Sequence, residues 1–529
     1  MEIVFKQFPE DVQKVISDNA ECRKALHRLE VGSDPTPRSW FYENKEPQWI
    51  LGSVSSALNG MKDLRNIADW DLSKSDKFGP QGGSAPLKER LDSFNEYFVH
   101  ISAPKIVHDP IWIRAKQLAI RRLKFNEAGR PTTLQAVVDR GIAEKKYNTN
   151  SEFPLYLKRR NPIAVKEAIR DAPHAIEQRF PSTLGTRASM GKTGVKARNI
   201  FMASMAVNIY GQRYQQVLQD YIRSLHQSFF LPWEGWEHVQ AEISDKWDKG
   251  LKFGADYTKM DQHFNLHHGL EVLDVIKHYF RKEYWSDLES TIRYVFTLPI
   301  LTNLGYVDQE HAMPSGSEWT NFLETRWNYI FTIYLELKYH LKFVTKMGIG
   351  DDQLYILAGF DGSSKGISWI TKTIVSEFEY AGLPGNPEKQ EVSREETGFL
   401  QRHCSSNWNG LHGDMRAAGV YSLIRNVTSQ VYPEFYHNEK TWDHNMFARR
   451  TIMIAENACQ HPLFKWYVQD FLAKANDNIL EFVRQDDSEI KSQEEQAKTI
   501  ANFIPTYNQE KQTKSLLEFE TLKLLREVA

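Results

Sequence analysis

The stretch MGIGDDQLYI, residues 347–356, sets two adjacent acids behind a glycine and follows them with an apolar run. Its flanks, LKFVTKM (341–347) and QLYIL (353–357), read as strands, so a tight hairpin with Asp351 and Asp352 at its tip is expected. Two readings of that tip stand. Acid pairs are common in solvated turns. Two carboxylates held together on a rigid hairpin also make a site for divalent cations, whose charge removes their repulsion.

The remainder of the chain bears on the choice. With 529 residues it exceeds the size at which one hydrophobic core stops growing, so several subdomains are expected. Hydrophobic content of 41% and charged content of 25% are those of an ordinary globular protein. No apolar run is long enough to span a membrane, and the N-terminus lacks a signal-peptide core. Cys22, Cys404 and Cys459 are too few and too scattered for a disulfide framework, which suits a reducing compartment. Cys404 with His403 and His412 lacks the paired spacing of a zinc site.

A net charge of −2 hides local bias. Between Gln178 and Gln219 stand Arg179, Arg187, Lys192, Lys196, Arg198 and Arg213 without a single acid. IWIRAKQLAIRRLK (111–124) is a second acid-free basic stretch. Either is a set of ion-pair donors or solvated faces, or else a local positive surface for phosphates.

Strand signals also appear at LKFGADY (251–257) and YVFTLPILTN (294–303), and helical ones at 266–285 and 317–337. The stretch 71–90 is the most loop-like and a candidate boundary, and the chain turns helical after about residue 410. Strands crossed by long helices, with helical flanks, predict an α+β core. GADYTKMDQHF (254–264) ends a strand at Asp256 and places Asp261 at a helix start. That supplies the third carboxylate of a two-cation site able to activate a hydroxyl and stabilise a leaving oxygen. In MPSGSEWTNFLETRWN (313–328), Ser315 or Ser317 reads as a simple helix cap, or the Ser-Gly loop allows close approach of a nucleotide.

Taken in order, these stretches resemble the viral RNA-dependent RNA polymerases, most closely those of double-stranded RNA viruses of the picobirnavirus and partitivirus kind. ADYTKMD looks like their motif A, PSGSEWTNFLETRWN motif B, GIGDDQ motif C, GKTGVKARNIF (191–201) motif F, GNPEKQEV (385–392) motif D and GFLQRHC (398–404) motif E. The resemblance implies a cupped right-hand fold of fingers, palm and thumb, with an RRM-like antiparallel palm sheet. Residues 1–75 would be an extension bridging fingers and thumb, and 76–250 the fingers, with motif F near 187–201. The palm would span 251–410 with a fingers insertion near 266–300, and 411–529 would be a helical thumb and C-terminal segment.

It also implies roles. Asp256, Asp351 and Asp352 would hold two Mg²⁺ or Mn²⁺ ions. Lys192, Lys196 and Arg198 would meet the triphosphate of the incoming nucleotide. Lys389 would protonate the departing pyrophosphate, and Ser315, Gly316 and Thr320 would position nucleotide and template. Asp261 stands where reverse transcriptases carry a bulky aromatic, and an acid there can accept a hydrogen bond from a ribose 2′-OH. Gly350 also departs from the reverse-transcriptase pattern. Glu324 occupies the position of an asparagine common in positive-strand virus enzymes. Implied partners are template and product RNA, NTPs, pyrophosphate and capsid protein, with no membrane, in the virion interior and host-cell cytoplasm. A reverse transcriptase, or an inactive RNA-binding or capsid-associated protein, are the alternatives.

Overall fold

The structure, a computed structural model, describes residues 2–191, 194–497, 500 and 514–529, with the side chains of 189, 191 and 194–196 left aside. Two short strands near the N-terminus, β1 (Ser33–Pro35) and β2 (Gly82–Ser84), pair antiparallel. A long antiparallel hairpin follows, β3 (Ser182–Gly191) with β4 (Gly194–Ala203). The strand β5 (Leu251–Ala255) belongs to a second sheet, while β6 (Ile300–Thr302) and β7 (Gly305–Val307) extend the first in the order β4-β3-β6-β7. β8 (Phe343–Ile349), β9 (Asp352–Leu357) and β10 (Glu391–Ser393) complete the second sheet, all antiparallel in the order β10-β5-β9-β8. A third sheet stacks β11 (Glu396–Phe399), β12 (Arg402–Ser405) and β13 (Val420–Tyr421).

The helix Thr320–Tyr339 is the axis of the largest core. Every residue from Phe322 to Leu335 is buried, so this helix shows no polar face. Its Thr, Ile and aromatic residues are mediocre helix formers, and burial on all sides outweighs that preference. Against it lie the helix Pro110–Arg122, β8, and Phe253 and Tyr355 of the second sheet.

One expectation is corrected here. The apolar run 294–303 is not one strand: a helix, Trp285–Thr297, carries Tyr294, Val295 and Phe296 into the core, and only Ile300–Thr302 after Pro299 pairs. A short apolar run does not reveal its own period. The loop-like stretch 71–90 holds short 3-10 turns and β2 and is anchored to distant residues. Asp71 is fully buried and accepts hydrogen bonds from the Leu423 and Ile424 amides at 2.7 and 3.2 Å, and β2 pairs within the same stretch.

The first 75 residues pack in three places, one of them Leu29 with Leu87, Phe94 and Phe201. Val12, Cys22 and Leu26 join a cluster with Val137, Phe153, Ile209 and Tyr306, whereas Phe41, Ile50, Val54 and Ile67 join one with Leu423, Trp442 and Phe471. No helix among the described residues is long and apolar enough to cross a membrane.

Candidate active site

Register places the acids. Ala255 pairs with Gln353 and Ile349 with Asp352, so Asp256, Asp351 and Asp352 emerge at one end of the adjacent strands β5 and β9 and the β8–β9 turn. Neighbouring strands stand about 4.8 Å apart, so the backbones that bear these acids are close together. Gly350 makes the turn possible with φ +57°, a region side chains other than glycine rarely adopt.

The turn is held from the long helix. The Gly350 N–H donates to Thr325 Oγ1 at 2.8 Å, and its carbonyl accepts from Asn328 Nδ2 at 2.7 Å. The Tyr257 hydroxyl donates to Asn328 Oδ1 at 2.8 Å and ties in the strand end that bears Asp256. The Asp256 backbone is clamped in turn by the Gln390 amide, which accepts from its N–H at 3.1 Å and donates to its carbonyl at 2.8 Å. Asp352 accepts from the Leu400 N–H at 2.9 Å.

The electrostatics are those of acids gathered without their counter-charge. Burial, then the charges of Asp261 and Asp256, raise Asp351 above the usual carboxylate range. Asp352 is pushed up to about 7, chiefly by burial, against the Leu400 amide. Burial also raises Asp256, opposed by the positive charge of Lys389. No Lys or Arg among the described residues forms an ion pair with any of the three. The donors are all carboxylate oxygens on rigid strands, the set that Mg²⁺ or Mn²⁺ takes, so the residues fit such ions. Among the described residues no three acidic, His or Cys side chains yet converge as a ready-made metal cage.

Beside the acids lies the sugar-facing group of the sequence reading. The Ser315 hydroxyl donates to Asp261 Oδ2 and lies 3.2 Å from the Tyr97 hydroxyl. Ser315 is therefore no helix cap; the helix starts later, at Thr320. Ser317 Oγ instead accepts from the Trp319 amide at 3.2 Å. The Ser315 carbonyl accepts from the Phe201 N–H at 2.9 Å, which joins the loop to β4. Gly316, at φ +106°, passes so near β4 that a Cβ would lie 3.0 Å from Ile200 Cγ2. The Thr320 hydroxyl turns back on the Pro314 carbonyl at 3.2 Å. Glu324 is only 3% exposed, and its carboxyl is raised by burial, then by Asp261 and Asp351. One of its oxygens has no hydrogen-bond partner.

The basic stretches sort themselves by partner. Arg187 pairs with Glu434, Arg213 with Asp287 and Arg179 with Asp308. Lys116 pairs with Glu271 and Asp274, and Arg122 with Glu336, so these two residues of 111–124 are structural ion-pair donors. Arg198 is different: exposed on β4, with no ion pair among the described residues, it sends its positive charge toward Asp351 and Tyr97. Lys192 lies outside the described residues, and so does the side chain of Lys196. Lys389 is exposed on the turn Pro387–Lys389, next to the Gln390 clamp.

Gln390, Thr325, Tyr97 and the Leu400 amide escaped the sequence reading. Each acts through a contact distant in the chain, and none carries a local signal.

An acid-tipped hairpin on an antiparallel sheet, crossed by one long helix and joined to a basic hairpin, is the arrangement of a right-hand fold. Comparison with solved structures agrees. The crystal structure of the RNA-dependent RNA polymerase of a human picobirnavirus is similar at TM-score 0.81 and 21% identity, over 99% of this chain and 100% of that one. Its insertion-loop deletion mutant gives TM-score 0.79 at 20% identity, again over 99% and 100%. In sequence, a potential RNA-dependent RNA polymerase of Human picobirnavirus (strain Human/Thailand/Hy005102/-) is 26% identical over 430 residues, 77% of this chain and 75% of the relative. No family model matches the chain. The chain is a homologue of a viral RNA-dependent RNA polymerase and has that polymerase's mixed α and β right-hand fold.

Proposed function

We propose that this protein is an RNA-directed RNA polymerase that copies a viral RNA genome from NTPs by two-metal nucleotidyl transfer. The observation that carries the reading is the register that brings Asp256 and the Asp351–Asp352 turn out at one end of adjacent strands, each backbone separately clamped, next to a Ser315–Asp261 pair. Asp256, Asp351 and Asp352 would hold two Mg²⁺ or Mn²⁺ ions, which lower the pKa of the attacking 3′-hydroxyl and stabilise the leaving oxygen.

The chain's own groups do the rest. Arg198, with Lys192 and Lys196 of the same stretch, neutralises the triphosphate. Asp261, oriented by the Ser315 hydroxyl, accepts a hydrogen bond from the ribose 2′-OH, and the buried Glu324 backs it. Gly316 and Thr320 shape the loop against which nucleotide and template lie. Lys389, on its exposed turn, hands a proton to the departing pyrophosphate.

The antiparallel β10-β5-β9-β8 order, with the helix Thr320–Tyr339 packed on it, supports an RRM-like palm at 251–410. Fingers at 76–250 and a helical thumb at 411–529 complete the proposed right hand. The split packing of residues 1–75 favours an extension that bridges fingers and thumb. Capsid protein, template and product RNA complete the proposed partners, in the virion interior and the host-cell cytoplasm.

The test is incorporation of labelled NTPs on a single-stranded RNA template with Mg²⁺, for wild type and for a folded Asp351→Ala, Asp352→Ala double variant. Template-length product from wild type alone is the expected result. Equal incorporation by both would overturn the reading.

A further inference from the structure

The helix Leu91–Val99 carries no motif of the sequence reading, yet it sends one side chain into the sugar-facing group. Tyr97 is only 4% exposed, and its ring meets that of Phe201 on β4 edge-on, with centres 4.9 Å apart. Its carbonyl accepts from the Ala312 N–H at 2.7 Å, three residues before Ser315. Phe201 in turn donates its own N–H to the Ser315 carbonyl. Ring, backbone and hydroxyl of Tyr97 therefore all bear on one loop.

The direction of the hydroxyl contacts follows from counting protons. A serine hydroxyl has one proton, and a carboxylate only accepts. Ser315 gives its proton to Asp261 Oδ2, so in the 3.2 Å contact between the two hydroxyls Tyr97 is the donor. Burial, then the charge of Asp261, push the tyrosine hydroxyl up to about 12, against Ser315, Gln262 and Arg198, so it keeps a proton to donate. A hydroxyl that donates and accepts at once is fixed in rotation, whereas a serine with one partner keeps more freedom. Glu324 also borders Asp261, from the helix Thr320–Tyr339.

We propose that Tyr97 is a positioning residue for sugar selection: it aligns the Ser315 hydroxyl, which holds Asp261 in place for the ribose 2′-OH of the incoming nucleotide. The inference rests on the polymerase reading above, in its assignment of Asp261 to the sugar. Tyr97 acts through Ser315 and does not itself touch the nucleotide.

Competing extension on one RNA template, with NTP against 2′-deoxy and 2′-fluoro nucleotides, tests the proposal. Tyr97→Phe keeps the ring on Phe201 and removes only the hydroxyl. The preference for NTP over dNTP should fall roughly threefold to tenfold, the scale of one neutral hydrogen bond, through KM for NTP more than through kcat. The 2′-fluoro nucleotide has no proton to donate to Asp261, so the preference over it should fall in the same way. In Ser315→Ala the chain of hydroxyls is already broken, and adding Tyr97→Phe should change the preference no further. Equal slowing of all three nucleotides by Tyr97→Phe would mean a merely structural role and overturn the proposal. An undiminished preference in that variant, or a further loss in the double variant, would overturn it as well. Either result leaves the polymerase reading intact, because wild type still extends and discriminates. A wild type that extends without preferring NTP would remove the role of Asp261 and this proposal together, and a wild type without extension would remove the polymerase reading itself and the proposal with it.

Discussion

At the scale of single residues, the Gly350 peptide governs the acid pair. Both of its polar groups are satisfied by side chains of one helix, Thr325 and Asn328, and Asn328 is fully buried. Asn328→Ala would strand the Gly350 carbonyl and the Tyr257 hydroxyl, at about 1–3 kcal/mol for each buried group left unpaired. The unfolding midpoint should fall, and in extension kinetics kcat should drop more than KM for NTP rises, because the variant displaces Asp351 without touching the nucleotide. A kcat per folded molecule equal to wild type would mean that the turn keeps its shape without Asn328. Sugar choice is a second residue-scale matter. Asp261→Asn keeps size but weakens acceptance from the 2′-OH, so the ratio of NTP to dNTP incorporation should fall by about tenfold or more, a typical value for a lost specificity contact. Competing NTP and dNTP extension on one template measures it.

At the scale of elements, the β8–β9 hairpin concentrates the constraints. Gly350→Ala meets no hard clash, since the added Cβ would sit 3.5 Å from Asn321 Nδ2 and Glu324 Oε2. Its cost is conformational, about 1–2 kcal/mol for a side chain in the left-handed region. Gly348→Ala meets Phe229 at 2.7 Å and should cost more. Chemical denaturation of the two variants should rank them in that order. This hairpin was legible in the sequence because short apolar runs flank the acid pair and a glycine marks the turn. The acids themselves were legible because their type and order carry the chemistry. Gln390, which pins Asp256 across 134 residues, was not, because an amide on a turn looks the same with or without a distant partner. Nor was the fate of 294–303, where burial on a helix and burial in a strand demand the same apolar residues.

At the scale of the whole molecule, N-terminal residues are sewn into distant parts of the chain. The Ser39 amide donates to the Val431 carbonyl at 2.9 Å, and Asp71 caps the helix that starts at Leu423. Such contacts leave no trace in the sequence, because each joins residues far apart in the chain. Where the N-terminal helices meet the basic hairpin, Glu152 is buried at 5% exposure, close to Cys22, Tyr156 and Arg159. Burial pushes its carboxyl up to about 7, against the hydrogen bond from Thr183 and the charge of Arg159. The folded protein therefore holds this proton more tightly than the unfolded chain does. Below a pH of about 4.5 both states are protonated and the group is neutral to stability. As pH rises toward about 7 the unfolded chain ionises first, and stability falls by up to about 3 kcal/mol. Glu152→Gln removes the ionisation. Thermal unfolding at pH 5 and pH 8 should show the wild type losing more stability over that interval than the variant does. The two proteins should differ least at the acid end. Parallel losses in both would place the pH dependence on other groups and leave Glu152 charged and solvated in the folded state.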